Sequence, residues 1–218
     1  MYESGQNGYV SIDNTKRKVI AYRKYISYLL LSLALTTLGA YCGSYLISSL
    51  SRTFLLIYCF VSIGLMLGFM FSRGAVKKIL FYAFTFGEGI TLAPLLSILT
   101  TASLYRCLFA TTLIVASFAI LGLKFKDLSF LGGILFALLL SILGLSILSI
   151  FVPLPFLAYL GLGVFCLYLM YDINSFKLSV SRNEFIDDNF ILNEVMNVYL
   201  DILNILMYVL RIISDNDN

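Results

Sequence analysis

The sequence predicts an all-α integral membrane protein, a seven-transmembrane-helix bundle whose C-terminal helix is central and carries a stripe of polar residues. Hydrophobic residues make up 60% of the 218-residue chain, charged residues make up 12%, and the mean hydropathy is +0.94. In an ordinary globular domain about a quarter of the residues are charged. Apolar runs of roughly 20 residues, the length that crosses the hydrocarbon core of a bilayer, recur along the chain.

Six of these runs are predicted to span the membrane, and a seventh is long enough but interrupted by polar residues. The six cover residues 25–50, 54–71, 79–99, 104–123, 128–151 and 155–171, and the seventh covers residues 195–213. The polar and basic residues 1–24 lack the apolar segment of a signal peptide and are predicted to form a disordered cytoplasmic tail. Residues 25–213 form the membrane domain, and residues 214–218 form a short C-terminal tail.

The distribution of basic residues predicts the orientation, because short cytoplasmic loops retain Lys and Arg. Of the 15 basic residues, twelve precede the first predicted span or follow the second, fourth and sixth; the other three are Arg52, Arg106 and Arg211. This asymmetry predicts a cytoplasmic N-terminus. The short loops favour a plasma (inner) membrane, if the protein is bacterial.

Several classes of function are excluded by composition. The chain has no histidine, which removes Ser-His and Cys-His nucleophiles, the common zinc sites and the usual neutral-pH proton switch. The basic residues are too dispersed for a nucleic-acid surface. The four cysteines lie in apolar stretches without metal-ligand spacing and are interpreted as packing residues. We therefore expect no enzymatic activity and no tightly bound cofactor, and any proton chemistry falls to carboxylates.

Three carboxylates lie inside predicted spans or directly at the end of one: Glu88, Asp172 and Asp201. A charged side chain at the centre of a span costs about 2.5–3.5 kcal/mol, so each is a candidate functional residue. Asp201 belongs to a polar stripe at helical spacing, which predicts that the seventh helix faces protein or water. The stripe consists of Glu194, Asn197, Asp201, Asn204, Tyr208 and Arg211. Its bland alternative is hydrogen bonding by a structural helix.

Asp172 and Asp201 are predicted to meet at one depth. Counted from Lys177 and Glu194 as cytoplasmic margins, they lie five and seven residues inside their helices, or roughly 8 and 10 Å. Carboxylates that share a desolvated site repel, so the pair is expected to hold a single proton near neutral pH and to sense pH. Deprotonated, the pair offers hard oxygen ligands suited to Ca²⁺. Alternatively, Asp172 is simply a hydrated interfacial residue.

Further residues are predicted to line a pore or cavity: Tyr168, on the same face as Asp172, together with Asn197, Asn204, Tyr208 and Glu88. Glu88 is flanked by Gly87 and Gly89, a context that predicts a loosened helix whose backbone could line a cavity. Its role as a pore residue or as the buried partner of a cation stays open.

Four segments resemble the Bax inhibitor family, the transmembrane Bax-inhibitor-motif proteins, and the similarity runs from the first span to the C-terminus. They are GITLAPLL at 89–96, KDLSFLGG at 126–133, LYLMYDINSFK at 167–177 and VYLDILNILMYVLRII at 198–213. The resemblance implies a seven-helix fold with a central last helix and a pH-sensitive calcium leak with Ca²⁺ as the permeant ion. It assigns the paired aspartates to Asp172 and Asp201. It also implies a basic latch to the sixth-span aspartate, for which Arg73 is the nearest candidate in a shifted register; Glu88 is not part of the pattern.

Two other functions compete with the leak channel. A non-conducting membrane regulator or scaffold fits the same sequence and would differ by the absence of ion permeation. An aspartyl intramembrane protease also needs two aspartates on consecutive spans, but Asp201 follows Val198, Tyr199 and Leu200 instead of the Gly-x-Gly that such proteases carry. A retinal-binding receptor is disfavoured because the seventh span has no lysine for a Schiff base.

Overall fold

The computed structural model describes residues 3–46, 52–152, 154–182 and 186–217. Seven α-helices account for the described elements, and no strand occurs among these residues, which confirms the predicted fold class. The helices are α1 (Glu3–Leu46), α2 (Arg52–Phe71), α3 (Gly74–Ser97), α4 (Thr101–Lys124), α5 (Leu131–Leu148), α6 (Leu157–Ser181) and α7 (Asp188–Asp217). Six are long and apolar enough to cross a membrane, and α2 contributes a shorter apolar stretch, Phe60–Phe71, so the protein is a multi-pass membrane protein.

Several helices extend past the predicted spans. Helix α6 continues to Ser181, ten residues past the predicted end of the sixth span. Helix α7 begins at Asp188, seven residues before the predicted start of the seventh span. The segment predicted to be the N-terminal tail is helical from Glu3 onward. The segment predicted to be the C-terminal tail is helical as far as Asp217. Hydropathy detects only the apolar part of a helix, whereas backbone hydrogen bonding continues into the polar flanks. The predicted end of the first span at residue 50 and the side chain of Cys59 lie outside the described residues.

The chain divides into two compact units, of which unit 1 comprises Met1–Pro94 and Leu178–Met196. In this unit α1 and α3 approach each other closely at Gly89. A Cβ at this position would collide with the backbone of Thr36. The Thr36 hydroxyl also donates to the carbonyl of Thr85 at 3.0 Å. Small residues permit such close packing between membrane helices. The apolar core around this contact includes the buried rings of Phe69 and Phe81, 5.9 Å apart.

Charged residues organise one end of unit 1. Asp188, at the start of α7, forms ion pairs with Lys24 of α1 at 2.6 Å and Lys78 of α3 at 2.7 Å. The preceding Asp187 accepts a hydrogen bond from the backbone N–H of Phe190 at 2.7 Å, which lowers the pKa of Asp187 and caps the helix. Lys77 is buried and donates to the carbonyl of Phe69 at the end of α2.

Unit 2 comprises Leu95–Lys177 and Asn197–Asn218. Its core is formed by buried side chains from α4, α5, α6 and α7, among them Cys107, Leu135, Leu169, Tyr199 and Ile205. Cys107 and Cys166 are free and buried, in agreement with their interpretation as packing residues. Both predicted aspartates belong to this unit.

Candidate functional site

The candidate site of unit 2 is the carboxyl pair, Asp172 of α6 and Asp201 of α7. The two carboxyl groups are within hydrogen-bonding reach of each other. Asp201 is only 4% exposed, and Asp172 is partly buried. Both aspartates lie far from the helix ends that border the link between α6 and α7. Asp172 lies nine residues before Ser181 and Asp201 thirteen after Asp188, or roughly 14 and 20 Å along the helices.

The closeness of the two carboxyl groups affects their protonation. A carboxylate only accepts hydrogen bonds, so two carboxyl groups can hydrogen-bond only when one of them carries a proton. The second oxygen of Asp201, Oδ2, is buried without a hydrogen-bond partner among the described residues. No lysine or arginine of the described chain forms an ion pair with either carboxyl group. The pair is therefore a buried acidic site with unused capacity for a proton, a water or a cation.

The sequence around Asp201 explains its burial. Val198, Ile205 and Val209 are buried and follow one face of α7 at steps of three and four residues around Asp201. The aspartate thus sits on the apolar face that packs into unit 2. Other members of the polar stripe lie at the edge of this face: Asn204 and Tyr208 are partly buried, whereas Asn197 and Arg211 are exposed.

Tyr168 lies beside the carboxyl pair and interacts electrostatically with both aspartates. Its ring is 6.0 Å from that of Phe165, which in turn stacks on Tyr208 at 5.8 Å with an interplanar angle of 30°. We call these three residues the ring stack. The ring of Tyr208 lies over Gly161, where a Cβ would collide with it. The ring stack therefore extends from the carboxyl pair along the contact between α6 and α7.

A cavity of about 400 Å³ lies at the C-terminal end of α7. We call it the C-terminal cavity. Its walls are formed by Leu95, Ile98, Asn204, Met207, Tyr208, Leu210, Arg211, Ser214 and Asp215. Asn204 and Tyr208 line it, as the sequence predicted for a cavity, whereas Asn197 and Tyr168 are not among its walls. Tyr208 belongs to both the cavity wall and the ring stack.

Two predicted residues belong to unit 1. Glu88 is partly buried on α3, which runs from Gly74 to Ser97 and contains Pro94. Gly87 instead provides room for the ring of Tyr58, which interacts electrostatically with Glu88. Arg73 is exposed in the link between α2 and α3. Its role as a latch stays a prediction.

The carboxyl pair by itself offers few ligands for a metal ion. Among the described residues, no group of three or more His, Cys, Asp or Glu side chains could hold a metal ion. Bound Ca²⁺ is surrounded by six to eight oxygens, and two carboxylates supply at most four.

Sequence reasoning missed Asn174, which is fully buried two residues after Asp172. Its amide nitrogen donates to the carbonyls of Gly122 and Phe125, both at 2.9 Å, and its amide oxygen accepts from the backbone N–H of Leu128 at 3.0 Å. These bonds fasten α6 to the end of α4 and the link to α5. The sequence carried little signal for it, because Asn174 follows the predicted end of the sixth span at residue 171.

Comparisons with known proteins show the family to which the chain belongs. A family model described as "Inhibitor of apoptosis-promoting Bax1" matches residues 16–218. The chain belongs to the Bax inhibitor family. This result confirms the family inferred from the four sequence segments.

Relatives of this Bax inhibitor family member come from bacteria, yeast and a virus. An uncharacterized protein of Helicobacter pylori (strain ATCC 700392 / 26695) is 26% identical over 85% of this chain and 84% of its own length. Bax inhibitor 1 of Schizosaccharomyces pombe is 28% identical over 76% of this chain and 64% of its own length. The Golgi anti-apoptotic protein of vaccinia virus (strain Lister) is 29% identical over 88% of this chain and 84% of its own length. The Helicobacter relative is consistent with a bacterial member.

Proposed function

We propose that this Bax inhibitor family member is a pH-sensitive calcium leak channel in which the carboxyl pair, Asp172 and Asp201, is both the pH sensor and the gate. The observation that carries the proposal is the closeness of these two carboxyl groups, which lie on separate helices and interact with each other. With one shared proton the contact joins α6 to α7. Without that proton two negative charges face each other and repel, and their oxygens become ligands for Ca²⁺.

The surroundings of the pair support a pathway through unit 2. The C-terminal cavity begins at Asn204, one helical turn from Asp201. Between the carboxyl pair and the cavity lies the ring stack, whose apolar faces bind a hydrated cation poorly. In this proposal Ca²⁺ passes from the cavity to the pair when the contact between α6 and α7 opens at the rings.

The orientation forms part of the proposal. We propose a cytoplasmic N-terminus and a location in the plasma (inner) membrane, on the basis of the twelve basic residues that precede the first span or follow the second, fourth and sixth. A thiol-reactive, membrane-impermeant reagent applied to intact cells tests this orientation with one cysteine added at the C-terminal end. The reagent is expected to label that cysteine from outside, and exclusive labelling after lysis would contradict the orientation.

Calcium flux into proteoliposomes tests the leak. Purified protein is expected to pass Ca²⁺ with a flux that changes over about pH 5 to 8, where a buried carboxyl pair exchanges its proton. The double variant Asp172→Asn, Asp201→Asn is expected to lose this pH dependence. Flux no higher than in empty vesicles at any pH would reject the channel.

Single variants sharpen the test. Asp172→Asn or Asp201→Asn replaces one carboxyl by an amide that donates a hydrogen bond at every pH, so each is expected to hold the contact closed and give a flat pH profile. Asp187→Asn is the matched control: it makes the same change at a partly buried helix cap and should keep the wild-type profile. A single variant that retains the wild-type profile would show that the pair is not the sensor.

A non-conducting regulatory protein is the second candidate function. The names of the relatives from yeast and vaccinia virus, Bax inhibitor 1 and Golgi anti-apoptotic protein, favour it. A regulator of this kind acts by binding other membrane proteins and needs no ion pathway. It predicts co-purification of a defined membrane-protein partner that persists in the double Asn variant, together with no flux in proteoliposomes.

A further inference from the structure

The C-terminal cavity of unit 2 has the size of a ligand site. Its volume of about 400 Å³ lies within the range of roughly 300–1,000 Å³ that is typical for small-molecule sites. Apolar side chains form one part of its wall, Leu95 and Ile98 at the end of α3 and Met207 and Leu210 on α7. Such a wall accommodates a hydrocarbon chain.

The cavity lies where two membrane-spanning helices end. Helix α3 ends at Ser97, between the wall residues Leu95 and Ile98, and α7 ends at Asp217, two residues after the wall residue Asp215. The ends of transmembrane helices lie at the level of the lipid head groups. A molecule in this cavity would have its polar end among the head groups and its apolar end directed into the bilayer.

Two opposite charges stand at the mouth of the cavity without neutralising each other. Arg211 and Asp215 are four residues apart and therefore share one face of α7. Neither forms an ion pair with the other or with any other described residue. The Tyr208 ring lies close to the Arg211 guanidinium, with which it interacts electrostatically. The mouth thus offers one cationic and one anionic group, separated by a helical turn.

We propose that the C-terminal cavity binds one zwitterionic phospholipid of the surrounding bilayer. The phosphate binds the guanidinium of Arg211, which matches phosphate oxygens through two parallel hydrogen bonds. The ammonium group, joined to the phosphate by a short linker, binds the carboxylate of Asp215. One acyl chain lies along Leu95, Ile98, Met207 and Leu210. The phosphate of a purely anionic lipid also binds Arg211. Such a lipid has no ammonium group to bind the carboxylate of Asp215 and places only its hydroxyls or a further negative charge there.

A lipid bound in this site would also affect ion passage. This effect rests on the proposed leak, whereas the lipid site itself does not. A lipid in the cavity covers Tyr208, which is also a member of the ring stack. The acyl chain would then fill the space through which a cation reaches the rings. Bilayer composition would set how often the pathway is open.

Native mass spectrometry of the full chain in detergent, titrated with dioleoyl phosphatidylethanolamine or dioleoyl phosphatidylglycerol, tests the proposal. Wild-type protein is expected to retain one phosphatidylethanolamine and to bind it about tenfold more tightly than phosphatidylglycerol. Arg211→Gln should weaken both lipids about tenfold or more, and Arg211→Lys should weaken them less. Asp215→Asn should weaken phosphatidylethanolamine and strengthen phosphatidylglycerol, a reversal that general destabilisation does not produce.

Arg106→Gln is the matched control, because Arg106 is an exposed arginine of the same unit that is not part of the cavity wall. Equal losses in Arg106→Gln and Arg211→Gln would overturn the site. Loss of both lipids in Asp215→Asn would overturn the assignment of the ammonium group. Saturation by soluble phosphoethanolamine at the concentrations that suffice for the lipid would show a site for a soluble molecule and overturn the lipid. None of these measurements involves calcium.

Discussion

Each aspartate of the carboxyl pair makes membrane insertion less favourable, by about 2.5–3.5 kcal/mol for a charged group at the centre of a span. A shared proton reduces this cost, because it removes one charge and adds a hydrogen bond between α6 and α7. The unpartnered Oδ2 of Asp201 nevertheless remains in a buried position. A structural hydrogen bond would need only an asparagine at either position. The proposed function gives the second carboxyl group a role, because only a carboxyl group can take up and release a proton at this position.

Phe165 is the residue whose removal should open the proposed pathway most directly. It is the middle ring of the stack and contacts Tyr168 on one side and Tyr208 on the other. Phe165→Ala removes the ring but neither carboxyl group. We expect a severalfold higher calcium flux at the pH of lowest wild-type flux, while the pH dependence itself persists. Proteoliposome flux over the same pH range measures both quantities.

The control for this variant is Phe136→Ala. Phe136 lies on α5 of the same unit and is 60% exposed, so its removal should leave the flux unchanged. A Phe165→Ala protein with wild-type flux at every pH would show that the ring stack does not limit passage. A flux that is raised equally in both variants would point to loosened packing of unit 2.

The residues of the site that the sequence could predict are the ionisable ones in apolar segments. Asp172 and Asp201 could be identified because ionisable groups in apolar spans are costly. Phe165 could not, since one phenylalanine in a chain with 18 of them carries no signal. Arg211 and Asp215 also escaped as a pair, because the sequence does not reveal that a cavity opens between them and the end of α3.

At the level of elements, α6 owes its fixed position to its anchorage on α4. Asn174 makes three hydrogen bonds to the backbone of the segment from Gly122 to Leu128. Lys177, one turn later, donates to the carbonyls of Leu123 and Phe125. These side chains satisfy carbonyls that the end of a helix leaves without partners. Helix α6 thus presents Asp172 from a fixed support.

Asn174→Ala tests this anchorage. The change leaves a buried backbone N–H and at least one buried carbonyl unsatisfied, which costs about 2–3 kcal/mol. We expect a lower midpoint of thermal unfolding of the purified protein in detergent. Ser175→Ala, a change at the partly buried neighbouring position, should leave the midpoint within a degree or two. Equal midpoints for Asn174→Ala and the wild type would contradict the anchoring role.

The number and order of the helices followed from hydropathy, but their ends did not. The lengths of α6 and α7 depend on polar flanks such as the segments 172–181 and 188–194, where helix and loop compositions are alike. Helix α6 ends four residues after the margin taken at Lys177, and α7 begins six residues before the margin taken at Glu194. Long apolar runs predict that a helix exists, and capping side chains such as Asp187 determine where it begins.

At the scale of the whole molecule, basic residues outnumber acidic ones by 15 to 12. In unit 1 the carboxylate of Asp188 compensates the positive charges of two lysines. Its carboxylate joins Lys24 of α1 and Lys78 of α3 and also accepts a hydrogen bond from the Tyr28 hydroxyl at 3.2 Å. One acidic side chain at the start of α7 therefore links three helices. Its position in the first turn also complements the helix dipole.

Asp188→Asn should destabilise unit 1 and make its stability depend on salt. The variant leaves Lys24 and Lys78 without the negative charge that lies between them. The two lysine side chains are partly exposed, at 45% for Lys24 and 34% for Lys78. We therefore expect the free energy of unfolding to fall by only about 1 kcal/mol. That corresponds to a thermal midpoint lower by about 2–4 °C. Added salt should recover part of the difference, because it screens the repulsion between the lysines. Asp187→Asn, which keeps the cap on the same helix, should show neither effect. A midpoint of Asp188→Asn equal to that of the wild type at low salt would mean that the three helices are held by their apolar packing alone.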